Sequence, residues 1–266
     1  MIISDKLRNA LTATTGVLKK LGEKKWVENA ILLLILAVFT GCATYVAVSL
    51  RRAIIPDEPG SIYMSSLFAT TWLTPAYNDK TLSLGYSALD RFPFLFYWIN
   101  GRLLNALALI LPQASDWHQI ILLRLVNVVY GIFTVVISYK LAREIITKKW
   151  WPLLVVFLLT NTLMFTMLSG GISYDNLTNL CAVAAVYFLV RVLKGKKFVH
   201  NSLLFFMITG IGCMVKKTFL PLALIMFIIW LIHIIRNYRA LDFKIKLDWK
   251  LSLVGLLTLG IITLNV

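Results

Sequence analysis

Residues 30–50 read AILLLILAVFTGCATYVAVSL, a run without a single charge that ends at Arg51 and Arg52. A bilayer core about 30 Å thick needs about 20 helical residues at 1.5 Å each, so this run is long enough to cross a membrane. The rest of the chain has a similar character, since 59% of its 266 residues are hydrophobic and 15% are charged. This composition argues against a soluble domain and predicts an all-α, polytopic transmembrane helical bundle.

The positions of the basic residues indicate the membrane topology. The chain has 27 Lys and Arg against 12 Asp and Glu, an excess that in a soluble protein would suggest a nucleic-acid partner. Here the basic residues stand in short clusters between apolar runs, so no nucleic acid is expected. Basic clusters stay in the cytoplasm, which predicts a cytoplasmic basic tail at 1–28 and a transmembrane domain at 29–266. We therefore expect a multi-pass protein of the cell (plasma or inner) membrane with a cytoplasmic N-terminus.

The same length criterion predicts six spans after the first. They cover residues 120–141, 150–168, 176–192, 202–214, 219–235 and 251–266. The last run offers about 16 residues, fewer than a span normally needs, and this predicts a protein that continues beyond Val266.

Residues 51–119 are predicted to form the first external loop. Within it, 92–111 is apolar enough for a span but carries Asn100, Arg102 and Asn105. Counting it as a span would place a later basic cluster outside, against the tendency of basic loops to stay inside. That cluster comprises Lys140, Arg143, Lys148 and Lys149. The segment is therefore expected to be an interfacial helix that lies on the membrane surface.

The most informative polar motif is Pro56-Asp57-Glu58-Pro59, a few residues beyond the first span. Proline restricts its own backbone and disfavours helix in the residue before it, so the acids are expected on a short extended or turning segment. A carboxylate held at the membrane surface can act as a general base that takes a proton from an acceptor hydroxyl or amine. The alternative is a solvated loop turn without a chemical role.

A second acid, Asp175, follows Ser169-Gly170-Gly171-Ile172-Ser173-Tyr174 at the outer end of two predicted spans. By topology it faces the same side as Asp57. The alternative is a helix cap, in which Asp175 or Asn176 accepts hydrogen bonds from the first backbone amides of the next span.

Three basic residues interrupt apolar stretches. Lys216 and Lys217 do so within 203–235, where a charge costs about 2.5–3.5 kcal/mol on insertion scales. Either they bind a negatively charged ligand or they simply extend to lipid head groups. Arg124 lies inside the 120–141 run and is expected to pair with an acid from the external loop.

The order of these segments resembles the amino-terminal half of the GT-C superfamily of membrane glycosyltransferases, which includes protein O-mannosyltransferases and the lipid A aminoarabinose transferase. In that pattern an external Asp or Asp-Glu motif precedes a Pro-aromatic surface helix and then an Arg-Leu segment. Here these parts are Asp57-Glu58, the stretch RFPFLFYW at 91–98, and Arg124-Leu125. Two departures from the pattern bear on the subfamily rather than on the superfamily. In the surface helix, Phe-Pro-Phe replaces the common Pro-Pro-Leu. After Arg-Leu, Val126-Asn127 replaces a frequent Pro.

The resemblance implies a GT-C-like fold that moves a hexosyl or pentosyl group from a polyprenyl-phosphate donor to a lipid, glycan or protein acceptor. Asp57 would be the catalytic base with Glu58 beside it, and Asp175 would help to orient the acceptor. By resemblance, the donor phosphate would be bound at Lys216 and Lys217. Arg52 and Arg91 are further candidates for phosphate contact, with anchoring to lipid head groups as the alternative. No cofactor is required. A divalent metal would be compatible with this pattern, although no metal-ligand set is indicated.

Two other functions fit parts of the sequence. A transporter or flippase would use the charges at Arg124, Lys216 and Lys217 as a substrate path. The lack of an internal repeat and of Gly- or Pro-broken spans in matching positions argues against it. A non-catalytic membrane scaffold would tolerate loss of the external acids. Substitution of Asp57 should distinguish the glycosyltransferase, the transporter and the scaffold.

Overall fold

The computed structural model describes residues 25–51, 55, 57–70 and 94–237, together with the isolated residues 255 and 260. Regular structure in these ranges is helical. The nine α-helices within the described ranges are α1 (Lys25–Ser49), α2 (Glu58–Thr70), α3 (Leu95–Ile110), α4 (Asp116–Ile145), α5 (Trp151–Thr160), α6 (Leu163–Ser169), α7 (Tyr174–Leu193), α8 (Phe198–Val215) and α9 (Leu220–Asn237). A 3-10 turn at Lys217–Phe219 joins α8 to α9.

The long helices confirm a polytopic helical bundle. Helices α1, α4, α7, α8 and the segment Lys217–Asn237 are each long and apolar enough to cross a membrane, and α5 with α6 makes a sixth span if the pair is counted as one. These match the first six predicted spans, although α4 extends about four residues beyond the predicted 120–141 at each end. The seventh predicted span, 251–266, lies outside the described residues except for positions 255 and 260, and the tail at 1–24 lies outside them entirely.

Helices α2 and α3 form a closely packed pair between the first two spans. At Gly101, an added Cβ would lie 2.7 Å from the backbone carbon of Phe68, so glycine permits the close approach of the two helices. The guanidinium of Arg102 donates a hydrogen bond to the carbonyl of Phe68. With 16 residues, α3 is about 24 Å long, shorter than a bilayer core of about 30 Å. This length favours the expected surface helix at 92–111 and argues against a membrane span there.

The predicted span at 150–168 is bent rather than straight. Helices α5 and α6 meet at an angle of 66°. The polar triplet Thr160, Asn161 and Thr162 lies at the bend, and each side chain donates to the carbonyl oxygen four residues earlier, at 2.7–3.1 Å. Side chains that bond to helix carbonyls compete with backbone amides and bend helices. We attribute the break to this triplet.

Helix α4 is the central element of the bundle. It contributes Ile120 and Leu123 to a core shared with α3, α7, α8 and α9. It also contributes Val128 and Val135 to a second core, shared with α1 and α5. Large apolar side chains on α1, α5 and α9 remain exposed at their outer faces, as expected of helices that contact lipid.

Candidate functional site

The buried side chain of Arg124 organises the end of the bundle at which α1 ends and α4 begins. Its Nε donates to Oε1 of Glu58 at 2.8 Å, and its Nη2 donates to Oε2 at 2.7 Å. Both side chains are fully buried. A guanidinium and a carboxylate that meet in this two-pronged way form one of the stronger charge-assisted contacts in proteins. The expectation that Arg124 pairs with an acid from the first loop is confirmed.

The remaining donors of Arg124 bind the end of α1. Its Nη1 donates to the carbonyls of Ala47 and Leu50 at 3.0 and 2.7 Å, and its Nη2 to the carbonyl of Arg51 at 3.2 Å. The last carbonyls of a helix lack partners within the helix, and a cation is favoured there by the helix dipole. Arg124 therefore joins the end of α1 to the start of α2, and residues 51–57 connect these two fixed points.

Asp57 and Glu58, both predicted as catalytic, occupy opposite environments. Asp57 is exposed and has a φ of +62°, a left-handed conformation that aspartate tolerates better than most residues. Its carbonyl accepts the amide of Ser61 at 3.0 Å, at the start of α2. Glu58 is fully buried, and both its oxygens are bound to Arg124. Of the two acids, only Asp57 is exposed, whereas Glu58 ties the start of α2 to Arg124.

The loop at 170–173, between α6 and α7, packs directly on this turn. The amide of Ile172 donates to Oε1 of Glu58 at 3.4 Å. A Cβ added to Gly171 would lie 2.2 Å from Cδ1 of Ile55, so a side chain at this position would have to displace Ile55. The turn at Asp57 and Glu58 is therefore in contact with the loop that precedes Asp175.

Asn127, three residues after Arg124 on the same helix, also holds the loop at 170–173. Its Oδ1 accepts the amide of Ser173 at 3.3 Å and Nδ2 of Asn176 at 2.9 Å. Nδ2 of Asn176 also donates to the carbonyl of Leu168 at 2.7 Å. The sequence analysis assigned Asn127 no role. An amide inside an apolar run, on the same helix face as a buried arginine, was the available signal.

Asp175 follows the start of α7 and forms an ion pair. Its amide donates to the Oγ of Ser173 at 3.2 Å, so Ser173 caps the helix and the alternative of Asp175 or Asn176 as the cap is wrong. The carboxylate of Asp175 lies 2.5 Å from Nζ of Lys216. The two side chains are 36% and 27% exposed, so the pair is reachable from solvent.

Aromatic rings surround this second ion pair. Nζ of Lys216 lies 4.7 Å from the ring centroid of Tyr174, within the range of a cation–π contact. The Tyr174 ring meets those of Phe96 and Tyr97 edge to face, at 6.4 and 6.5 Å between centroids. The aromatic start of α3 therefore packs beside Asp175 and Lys216.

The other predicted site residues are not joined to this cluster. Lys217 is exposed on the 3-10 turn. Arg52 and Arg91 lie outside the described residues. Within the described part of the chain, no group of three or more His, Cys, Asp or Glu side chains could hold a metal ion.

Part of the site lies in a region that matches a known family. The family described as dolichyl-phosphate-mannose-protein mannosyltransferase matches residues 93–262, which is more than half of the chain. This region includes Arg124, Asn127, Asp175 and Lys216, and it begins after Asp57 and Glu58. Comparisons with curated proteins and with solved structures found no match.

Proposed function

Since the chain belongs to the dolichyl-phosphate-mannose-protein mannosyltransferase family, we propose that it transfers a sugar to an acceptor at the extracytoplasmic membrane face with Asp57 as general base. Family membership makes it a membrane glycosyltransferase that uses a polyprenyl-phosphate-linked sugar donor. The observation that carries the assignment of the base is the contrast between the exposed Asp57 and its neighbour Glu58, which is bound to Arg124. The turn thus holds one exposed carboxylate beside a buried ion pair.

The proposed reaction is a single displacement at the anomeric carbon of the donor sugar. An acceptor hydroxyl or amine forms a bond to this carbon while the bond to the phosphate oxygen breaks. The electron pair leaves with polyprenyl phosphate, and the Asp57 carboxylate takes the acceptor proton. A fixed turn favours this step, because a base held in position pays no orientation cost during the reaction.

We assign Lys216 to the phosphate of the donor. The leaving phosphate gains negative charge, and a nearby ammonium stabilises that charge in the transition state. An ammonium has three N–H donors, and Asp175 occupies one direction at 2.5 Å. Asp175 therefore holds Lys216 in place while leaving donors for a phosphate, a role that differs from the orientation of the acceptor expected from the sequence. Lys217, Arg52 and Arg91 stay as further candidates for phosphate contact.

The family does not fix which sugar and which acceptor the enzyme uses, so these two identities are separate proposals. The family description names a mannosyl donor and a protein acceptor, so a mannosyl group is the first donor to test. A lipid or glycan acceptor would use the same base, because each supplies a hydroxyl or amine nucleophile. No cofactor enters this reaction scheme.

The transporter alternative receives less support from the geometry. Arg124, which would mark a substrate path, is fully buried and makes five hydrogen bonds to the described residues. A residue so occupied does not line a path for a substrate. Counted as one broken span, the bent pair of α5 and α6 would be a feature of transporters, but no second such pair occurs in the described residues.

The test uses the full-length protein in liposomes with a panel of polyprenyl-phosphate sugars and crude membrane acceptors. Release of free polyprenyl phosphate is measured for the wild type, for Asp57→Asn and for the control Asp116→Asn. Asp116 is an exposed acid at the start of α4, which is the same end of the bundle. We expect loss of release in Asp57→Asn alone. A wild type that consumes no donor would instead favour a transporter or a scaffold, and full activity in Asp57→Asn would reject the base.

A further inference from the structure

We propose that a basic cavity at the opposite end of the bundle binds the phosphate headgroup of an anionic phospholipid. The cavity has a volume of about 630 Å³ and lies where α4 ends, between the start of α1 and the α7–α8 turn. Five cationic side chains line it: Arg143, Lys148, Lys149, Lys194 and Lys196. This site is separate from the loop acids and does not depend on the proposed transferase chemistry.

The position of the cavity follows from two ion pairs on α4. Arg124 pairs with Glu58 near one end of the helix, and Arg143 pairs with Glu28 near the other at 2.6 Å. The two arginines are nineteen residues apart on one helix, which corresponds to about 28 Å. Because a bilayer core is about 30 Å thick, the cavity lies at the membrane surface opposite Asp57.

The acids in the cavity neutralise only part of its positive charge. Buried Glu28 accepts hydrogen bonds from Arg143 and from the hydroxyl of Tyr139, each at 2.6 Å. Glu144 pairs with Lys196 at 2.7 Å. Five cations against these two acids leave a net charge of +3. Among the described residues, Lys148 and Lys149 form no ion pair with a carboxylate, so the cavity presents an excess of ammonium groups suited to a phosphate.

Two tryptophans favour a lipid as the source of the phosphate. Nζ of Lys148 lies 5.6 Å from the ring centroid of Trp151, and Nζ of Lys149 lies 5.9 Å from that of Trp150. The two tryptophans are 51% and 41% exposed. Exposed tryptophans at the end of a span lie at the level of lipid head groups. The lysines are therefore held where a headgroup phosphate arrives by lateral diffusion, and clusters of basic residues at this level attract anionic lipids.

The test measures the association of spin-labelled phosphatidylglycerol and phosphatidylcholine with the full-length protein in nanodiscs. The variant Lys148→Gln/Lys149→Gln removes two charges from the cavity. The matched control Lys140→Gln/Lys197→Gln removes two exposed lysines at the same end that do not line it. We expect the wild type and the control to prefer phosphatidylglycerol, and this preference to fall by up to about thirtyfold in the cavity variant, since each lysine contributes about 1 kcal/mol. Equal melting temperatures in neutral lipid establish that all three proteins are folded.

Three results would overturn the proposal. An equal loss in both double variants would mean diffuse surface attraction rather than a site. An unchanged preference in the cavity variant would mean that the cavity does not bind the lipid. Displacement of labelled phosphatidylglycerol by inorganic phosphate, but not by chloride at the same ionic strength, would assign the cavity to a soluble phosphate instead.

Discussion

Replacing Glu58 by Gln should destabilise the bundle, whereas replacing its neighbour Asp57 by Asn should leave stability unchanged. Glu58 and Arg124 are both fully buried, so Gln removes the only charge that compensates the guanidinium in this pair. Breaking a buried ion pair by removing one partner costs about 3–5 kcal/mol. The lower end, about 3 kcal/mol, applies here because the Gln carbonyl still accepts one hydrogen bond. At about 2–4 °C per kcal/mol for a chain of this size, the melting temperature should fall by roughly 10 °C.

The assay is thermal unfolding of the purified full-length protein in one detergent, followed by donor consumption at a temperature where all variants are folded. Glu58→Gln should melt early yet keep measurable activity, because Asp57 remains. Asp57→Asn should melt like the wild type and lose activity by about 10²–10⁴-fold, the typical contribution of general-base catalysis. A Glu58→Gln protein as stable as the wild type, or an Asp57→Asn protein as unstable as Glu58→Gln, would refute the assignment of the two roles.

Three further predictions concern the loop at 170–173 and the donor site. Lys216→Gln should raise the KM for the donor, with partial recovery in Lys216→Arg; an unchanged KM in steady-state assays would remove Lys216 from the phosphate site. Asn127→Leu should leave the buried amide of Ser173 without its acceptor and cost about 1–3 kcal/mol, measured as a lower melting temperature; a gain in stability would contradict this. Gly171→Ala should lower activity because its Cβ meets Ile55 at 2.2 Å, and Ile55→Ala in the same chain should restore it. If the double variant were no better than Gly171→Ala, the clash would not be the cause.

The hydrophobic pattern predicted most of the fold because a bilayer imposes a fixed length on each span. The first six predicted spans therefore match helices in the structure. The pairing of Arg124 with a loop acid was predictable for a similar reason, since an isolated charge inside an apolar run needs a partner. The bend at Asn161 was not predicted, because a few uncharged polar residues do not interrupt a hydropathy pattern even when their side chains compete for helix carbonyls.

The roles of the two adjacent acids could not be separated from the sequence alone. Asp57 and Glu58 share the same local charge and the same flanking prolines. What distinguishes them is a left-handed backbone at Asp57, together with an arginine 66 residues after Glu58 that binds only the second acid. Ser173 and Asn127 were missed for a related reason: their partners lie on other elements, and their spacing in the chain does not reveal those contacts.

The candidate base is supported by a frame made of α1 and α4, and these two helices are joined to each other at both ends. At one end Arg124 on α4 binds the last carbonyls of α1, and at the other end Arg143 and Tyr139 on α4 bind Glu28 at the start of α1. Helices joined at both ends of a span resist sliding and tilting relative to each other. The turn at Asp57 is attached to this pair through Glu58, so its position does not depend on contacts with substrate. A base held in advance in this way reduces the reorganisation required when the acceptor arrives. The same frame links the basic cavity to the rest of the bundle, because the cavity is built on the Glu28 and Arg143 end of the same two helices.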